Sequence, residues 1–114
     1  MSARAVFAEV KRLAEVGRSG RDGALRIAQE LRRFGARGVR CRMAHCPLAR
    51  HLGTFSGGQP VLVTRTEVLV GTSRDARTLH LTRAPGDLIV ISEFVRAFDD
   101  QPGRFRWLRE GGSR

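Results

Sequence analysis

Val6, Phe7, Val10, Leu13 and Ala14 recur at spacings of three and four, drawing one apolar stripe along a helix from about Ala3 to Val16. Ser2 stands where an N-cap belongs, and Gly17 where such a helix stops. Beyond the polar turn from Gly17 to Gly23 the pattern repeats, with Leu25, Ile27, Ala28, Leu31 and Phe34 on one face. That predicts a second helix from about Asp22 or Gly23 to Phe34, stopped by Gly35. Two helices joined by so short a loop should pack as an antiparallel pair. After a loop from Ala36 to His45, Cys46-Pro47 starts a third, short helix, since proline's missing N–H costs nothing at the first helical position. Leu48 and Leu52 share its inner face, and Gly53 ends it.

The period then changes from about 3.6 to 2. Thr54 to Pro60 is a loop. Val61-Leu62-Val63 and Val68-Leu69-Val70, flanking Thr64-Arg65-Thr66-Glu67, predict a hairpin. The alternation in Arg77 to Thr82 adds a third antiparallel strand. A last helix is expected after Pro85, from about Gly86 to Asp99, with Leu88, Ile91, Phe94, Val95 and Phe98 inward and Pro102-Gly103 beyond its end. Arg104 to Leu108 adds a strand or docks as an anchor, and the chain frays from Gly111. The fold class is therefore α+β: an N-terminal helical pair, a short Cys-Pro helix, a small antiparallel sheet of three strands and a C-terminal helix. At 114 residues there is room for one core, so residues 1–110 are expected to form a single domain.

With 41% hydrophobic and 28% charged residues the composition is that of a globular chain, and no apolar run approaches a membrane span. The first residues lack the apolar stretch of a secretory signal, so a cytoplasmic location and no membrane partner are expected. Charge changes the picture more. The net charge is +10, and residues 1–50 carry 12 Lys+Arg against 4 Asp+Glu. Lys11 is the sole lysine and Tyr and Asn are absent, the usage of a GC-rich genome, which explains the choice of Arg but not the surplus of cations over acids. A surplus of this size draws polyanions.

Arg18, Arg21, Arg26, Arg33, Arg37, Arg40 and Arg42 form the densest basic stretch and are the candidate contacts for an acidic partner, nucleic acid or protein. Phe34 is the one aromatic among them, and the apolar period assigns it to the core, so base stacking is not expected. What remains is salt-sensitive contact with a backbone of charges.

Both cysteines and two of the three histidines fall between Cys41 and His51. Cys46, at a helix start near Arg42 and Arg50, is where a thiolate would be favoured, and His80 on the third strand could serve it as a base. That is the alternative reading, a thiol-dependent enzyme or a metal-binding protein centred on Cys46. A metal site built on Cys41, Cys46 and His51 lacks the C-x2-C pair and the H-x3-5-H partner of structural zinc, so no metal and no cofactor are expected. No phosphate loop, dinucleotide-binding glycine pattern, H-E-x-x-H or G-x-S-x-G occurs. A winged helix is disfavoured by the linker of about ten residues between the second and third helices, where a helix-turn-helix needs three or four.

Ile27-Ala28-x-x-Leu31-Arg32-x-Phe34-Gly35-x-Arg37-Gly38, then Cys46 to Leu52, then the paired strands and Phe94-Val95-Arg96-Ala97-Phe98-Asp99, together resemble a group of small uncharacterised actinobacterial proteins. Members share a G-x-R-G turn, a C-P-[LV]-A-x-[YH]-L helix and a late F-V-x-A-F-D helix. The resemblance covers about Ile27 to Asp99 and departs at His51, where an aromatic residue is more usual, and in the extra first helix. It implies an actinobacterial source and a folded domain, and carries no activity over. The expected function is thus a non-enzymatic accessory or regulatory protein that acts by binding; no oligomeric state is read from the pattern.

Overall fold

A computed structural model describes residues 3–72, 74–83, 86–101 and 103–110. Helices α1 (Ala3–Arg18), α2 (Gly23–Arg33) and α3 (Pro47–Gly53) come first, followed by strands β1 (Val61–Val63), β2 (Glu67–Val70) and β3 (Arg77–His80). Helix α4 (Ile89–Asp100) and a 3-10 turn over Arg106–Leu108 close the chain. The order is the α+β order expected from the pattern. Helix α1 buries Val6, Val10, Leu13 and Ala14, and α2 buries Ala24, Ile27, Ala28 and Leu31. Each set repeats at three and four, so each helix offers one face, and α4 lies against both of them with Ile91, Phe94, Val95 and Phe98 inward. Phe94 stacks on Phe98 and on Phe105 of the tail, with ring centroids 6.1 and 5.8 Å apart.

Two helix boundaries differ from expectation, both because of a glycine. Gly17 does not stop α1, which runs on to Arg18. A Cβ at Gly17 would lie 2.9 Å from Ile27 Cδ1 and 2.9 Å from Val90 Cγ2, so the residue is small because α2 and α4 crowd it. Gly86 has φ +84 and cannot begin α4, which starts at Ile89 after a Gly86–Leu88 turn. At Gly35 (φ +77) the expected stop is real: Ala36 N–H donates to Leu31 O at 3.0 Å, wrapping the end of α2.

The strands form one antiparallel sheet in the order β1-β2-β3, with Val63 opposite Val68 and Val68 opposite Leu79. Val61, Val63, Val68 and Val70 face the core, and α3 seats the sheet through β1. Leu48 and Leu52 of α3 are fully buried, as their spacing requires. The tail docks as an anchor: Phe105 and Leu108 are buried, Gly38 N–H donates to Leu108 O, and Glu110 N–H donates to Gly38 O. Ser2, Pro85, Pro102 and residues 111–114, where a cap, a helix boundary, a helix end and a frayed tail are expected, lie outside the described residues. Among the described residues no helix is long and apolar enough to cross a membrane.

Candidate functional site

Ionised groups on the helical half follow two different fates. Glu9 sits on the inner side of α1 and is 6% exposed, which would be costly for an isolated carboxylate. Arg12, one turn on, grips it with both prongs of its guanidinium, Nε to Oε1 and Nη2 to Oε2, each at 2.7 Å. The remaining nitrogen, Nη1, reaches Glu30 Oε2 of α2 at 2.7 Å, and Arg33 approaches the same carboxylate at 3.4 Å. From α3, His51 places Nε2 2.6 Å from Glu9 Oε2. One network thus ties α1, α2 and α3 together. Burial alone would push the Glu9 carboxyl up, but hydrogen bonds from Arg12 and His51 outweigh it and hold the group below its usual value.

Phe34 completes this network instead of entering the core. The residue is 53% exposed, against the apolar period that assigned it inward. Its ring covers His51 at 5.2 Å between centroids and receives the guanidinium groups of Arg12 at 5.5 Å and Arg33 at 5.2 Å. Phe55 meets the other side of His51 edge-on at 5.3 Å. His51 is therefore a buried structural histidine in an aromatic slot.

The arginines singled out in the sequence are largely outside this network. Arg33 alone among the seven pairs with a carboxylate in the described structure. Arg18 donates to the Asp87 carbonyl, and half-buried Arg40 donates through Nε to the Asp99 carbonyl at 2.8 Å. Those two carbonyls flank the ends of α4, so Arg18 and Arg40 are separated by the length of a helix of about 18 Å. Arg26 and Arg33, seven residues apart, share the outer stripe of α2 with Gln29, and Arg37 follows just past its end. Arg21 lies in the α1–α2 turn, and Arg42 lines a separate cleft together with Arg65 and Asp99. The basic stretch is thus Arg26 and the Glu30-paired Arg33 on the outer stripe of α2, with the other five beyond its ends, and not one patch of seven.

Several further acids find partners within the chain. Asp22 is tied to Arg104, Asp100 to Arg65, and Glu110 to Arg50 at 2.7 Å. Asp22 also caps α2, accepting from Leu25 N–H at 3.1 Å; that bond first and Arg104 next hold its carboxyl low against the opposing effect of burial. Arg50 and Arg104, absent from the sequence-based set, have their partners far along the chain, at a separation no local pattern encodes.

The thiol reading finds no geometry. Cys46 is 5% exposed, and its Sγ accepts the Ala49 N–H at 3.3 Å as the N-cap of α3. Burial pushes its thiol up to about 11. Its cleft is lined by Met43, Val63 and Val95, whereas His80 lines a different cleft and stands 3.5 Å from Glu67. Cys41 is exposed, with its N–H on Asp99 Oδ1 at 2.8 Å and φ +56. Among the described residues no group of three or more His, Cys, Asp or Glu side chains could hold a metal ion.

No protein-family model, curated protein or solved structure matches this chain.

Proposed function

We propose that the protein is a non-enzymatic binding protein whose α2 stripe meets a polyanion, and that the best fit is the phosphate backbone of a nucleic acid. The observation that carries this reading is the division of charge. Glu9, Asp22 and Glu30, three of the four carboxylates of the helical half, are held in internal pairs, while Arg21, Arg26, Arg37 and Arg42 have no carboxylate at salt-bridge distance among the described residues. Unpaired guanidinium groups on α2 (Arg26), in the turns on either side of it (Arg21, Arg37) and in the loop before α3 (Arg42) suit phosphate oxygens, which accept two parallel N–H bonds from one arginine. Arg26 on the outer face of α2, with Arg21 before the helix and Arg37 just past its end, offers unpaired cations spread along one helix, an arrangement that can follow a strand of phosphates.

No aromatic platform accompanies them. Phe34 is exposed but is covered by Arg12 and Arg33, and Trp107 is taken by Arg32 at 5.2 Å. Contact with the backbone rather than stacking on bases follows, so affinity should depend steeply on salt and little on sequence. Titration with unrelated DNA and RNA oligonucleotides at low and raised salt tests it. Binding that falls linearly on a log–log plot supports the reading; no binding at low salt, or binding indifferent to salt, refutes it. Polyglutamate competing as well as an oligonucleotide would shift the partner to an acidic protein.

A further inference from the structure

The two edges of the sheet are treated differently. At β1, Val63 N–H is capped by the Met43 carbonyl at 2.9 Å, so that edge is occupied by the chain's own backbone. At β3 nothing among the described residues pairs the outer edge. Leu81 N–H donates inward to Thr66 O at 2.8 Å, and because strand groups alternate, Leu79 and Arg77 also face β2. Thr78 and His80 consequently point their N–H and C=O groups outward.

They point beside the largest cleft described, about 580 Å³, whose walls are β3 on one side and the exposed stripe of α1 on the other. Leu79 and Leu88 supply apolar surface. Lys11, Arg18 and Arg83 line it against Glu15 and Asp87, and Arg18 is held on the Asp87 carbonyl. A helix facing an open strand edge across a cleft is an arrangement that accepts an added strand: main-chain bonds give affinity and side-chain subsites give preference.

We infer that this cleft binds an extended acidic peptide segment of a partner protein as a fourth strand alongside β3. The outward groups decide the class of ligand. Thr78 and His80 each present a donor and an acceptor, and a peptide backbone matches both, whereas a phosphate backbone offers acceptors alone. The cationic excess of the walls favours carboxylates on the incoming strand. Four residues of β3 limit the added strand to a short segment, and Arg77 at its start discourages pairing with a second copy of the same edge. This site is separate from the α2 stripe and does not depend on it.

Amide-resolved NMR of the full chain tests the inference, using as probe a capped synthetic peptide of about six residues that alternates Glu and Val. At about millimolar peptide the Thr78 and His80 amides should shift and their hydrogen exchange slow at least about tenfold, while a peptide N-methylated at alternate residues should bind at least about tenfold more weakly. Thr78→Pro, which removes an outward N–H and leaves the inward bonds, should abolish the response; if that variant misfolds, the N-methylated peptide still decides. Equal binding of the N-methylated peptide, no change at β3, or an oligonucleotide moving these same amides would overturn it. Charge reversal at Arg26 and Arg37 should leave the peptide response intact, so the two sites can fail separately.

Discussion

Arg12 and Arg26 lie on adjacent helices, carry the same charge and have opposite fates. Arg12, partly exposed, pairs with Glu9 and Glu30 and lies over Phe34, so its charge is neutralised by partners within the chain. Arg26 lies on the outer stripe of α2 with no carboxylate in reach among the described residues. The difference separates two uses of arginine that composition merges: one holds the helices together, the other leaves a net positive surface. A count of basic residues overstates the unpaired positive surface, because part of it is already tied up in the fold.

The largest effect expected of any change that blurs this division is at Arg12. Arg12→Ala leaves Glu9 buried with His51 as its remaining partner and frees Glu30 of its main cation, so stability should fall by about 2 to 3 kcal/mol, read from urea unfolding. A loss under about 0.5 kcal/mol would mean the network is decoration. Acid exposes the same network by another route. Because Glu9 titrates lower in the folded chain than its ordinary value of 4.5, its contribution is complete above that value and is lost as pH falls through the lower, folded one. Stability should therefore decline below about pH 4.5, and Glu9→Gln should be less stable at neutral pH with a shallower acid decline. An unchanged acid profile in Glu9→Gln would assign the decline to other carboxylates.

Smaller still is the expected effect of outward charge on stability. Arg26→Gln and Arg37→Gln should change it by less than about 0.5 kcal/mol while weakening oligonucleotide binding. A large stability loss in either would give these arginines a hidden structural role. Thiol chemistry should show the least response of all. In the native protein a disulfide-exchange reagent near neutral pH should titrate one cysteine, exposed Cys41, with Cys46 reacting after unfolding because its thiol is buried and pushed up to about 11. Rapid native modification of Cys46 would revive the thiol-enzyme reading.

Much of the fold was legible because it rests on local period. The stripes of α1, α2 and α4, the Cys-Pro start of α3 and the hairpin at Thr64 to Glu67 follow from spacing and from proline and glycine chemistry. Where a residue's role depends on a neighbour far along the chain, the pattern was silent or misleading. Gly17 looks like a stop, yet its smallness answers Ile27 and Val90. Phe34 fits the apolar period, yet its ring lies outside, over His51, because Arg12 and Arg33 make that face a favourable seat for an aromatic. Glu9 and Arg12 stand at a helical pair spacing that could have been noticed, but His51, forty-two residues later, could not have been joined to them from sequence. The basic stretch was visible as composition; its reduction to the α2 stripe and outliers depended on which carboxylates each arginine meets in space.

The central claim is that the outward arginines, and not the network arginines, hold a polyanion. Measuring the salt dependence of oligonucleotide affinity for the native chain and for the quadruple variant Arg21→Gln, Arg26→Gln, Arg37→Gln, Arg42→Gln tests it most directly. Each phosphate contact adds about 0.9 to the log–log slope, so the variant's slope should be shallower by up to about 3.6 while its unfolding midpoint stays near that of the native chain. A slope that is unchanged in a fully folded variant would contradict the claim.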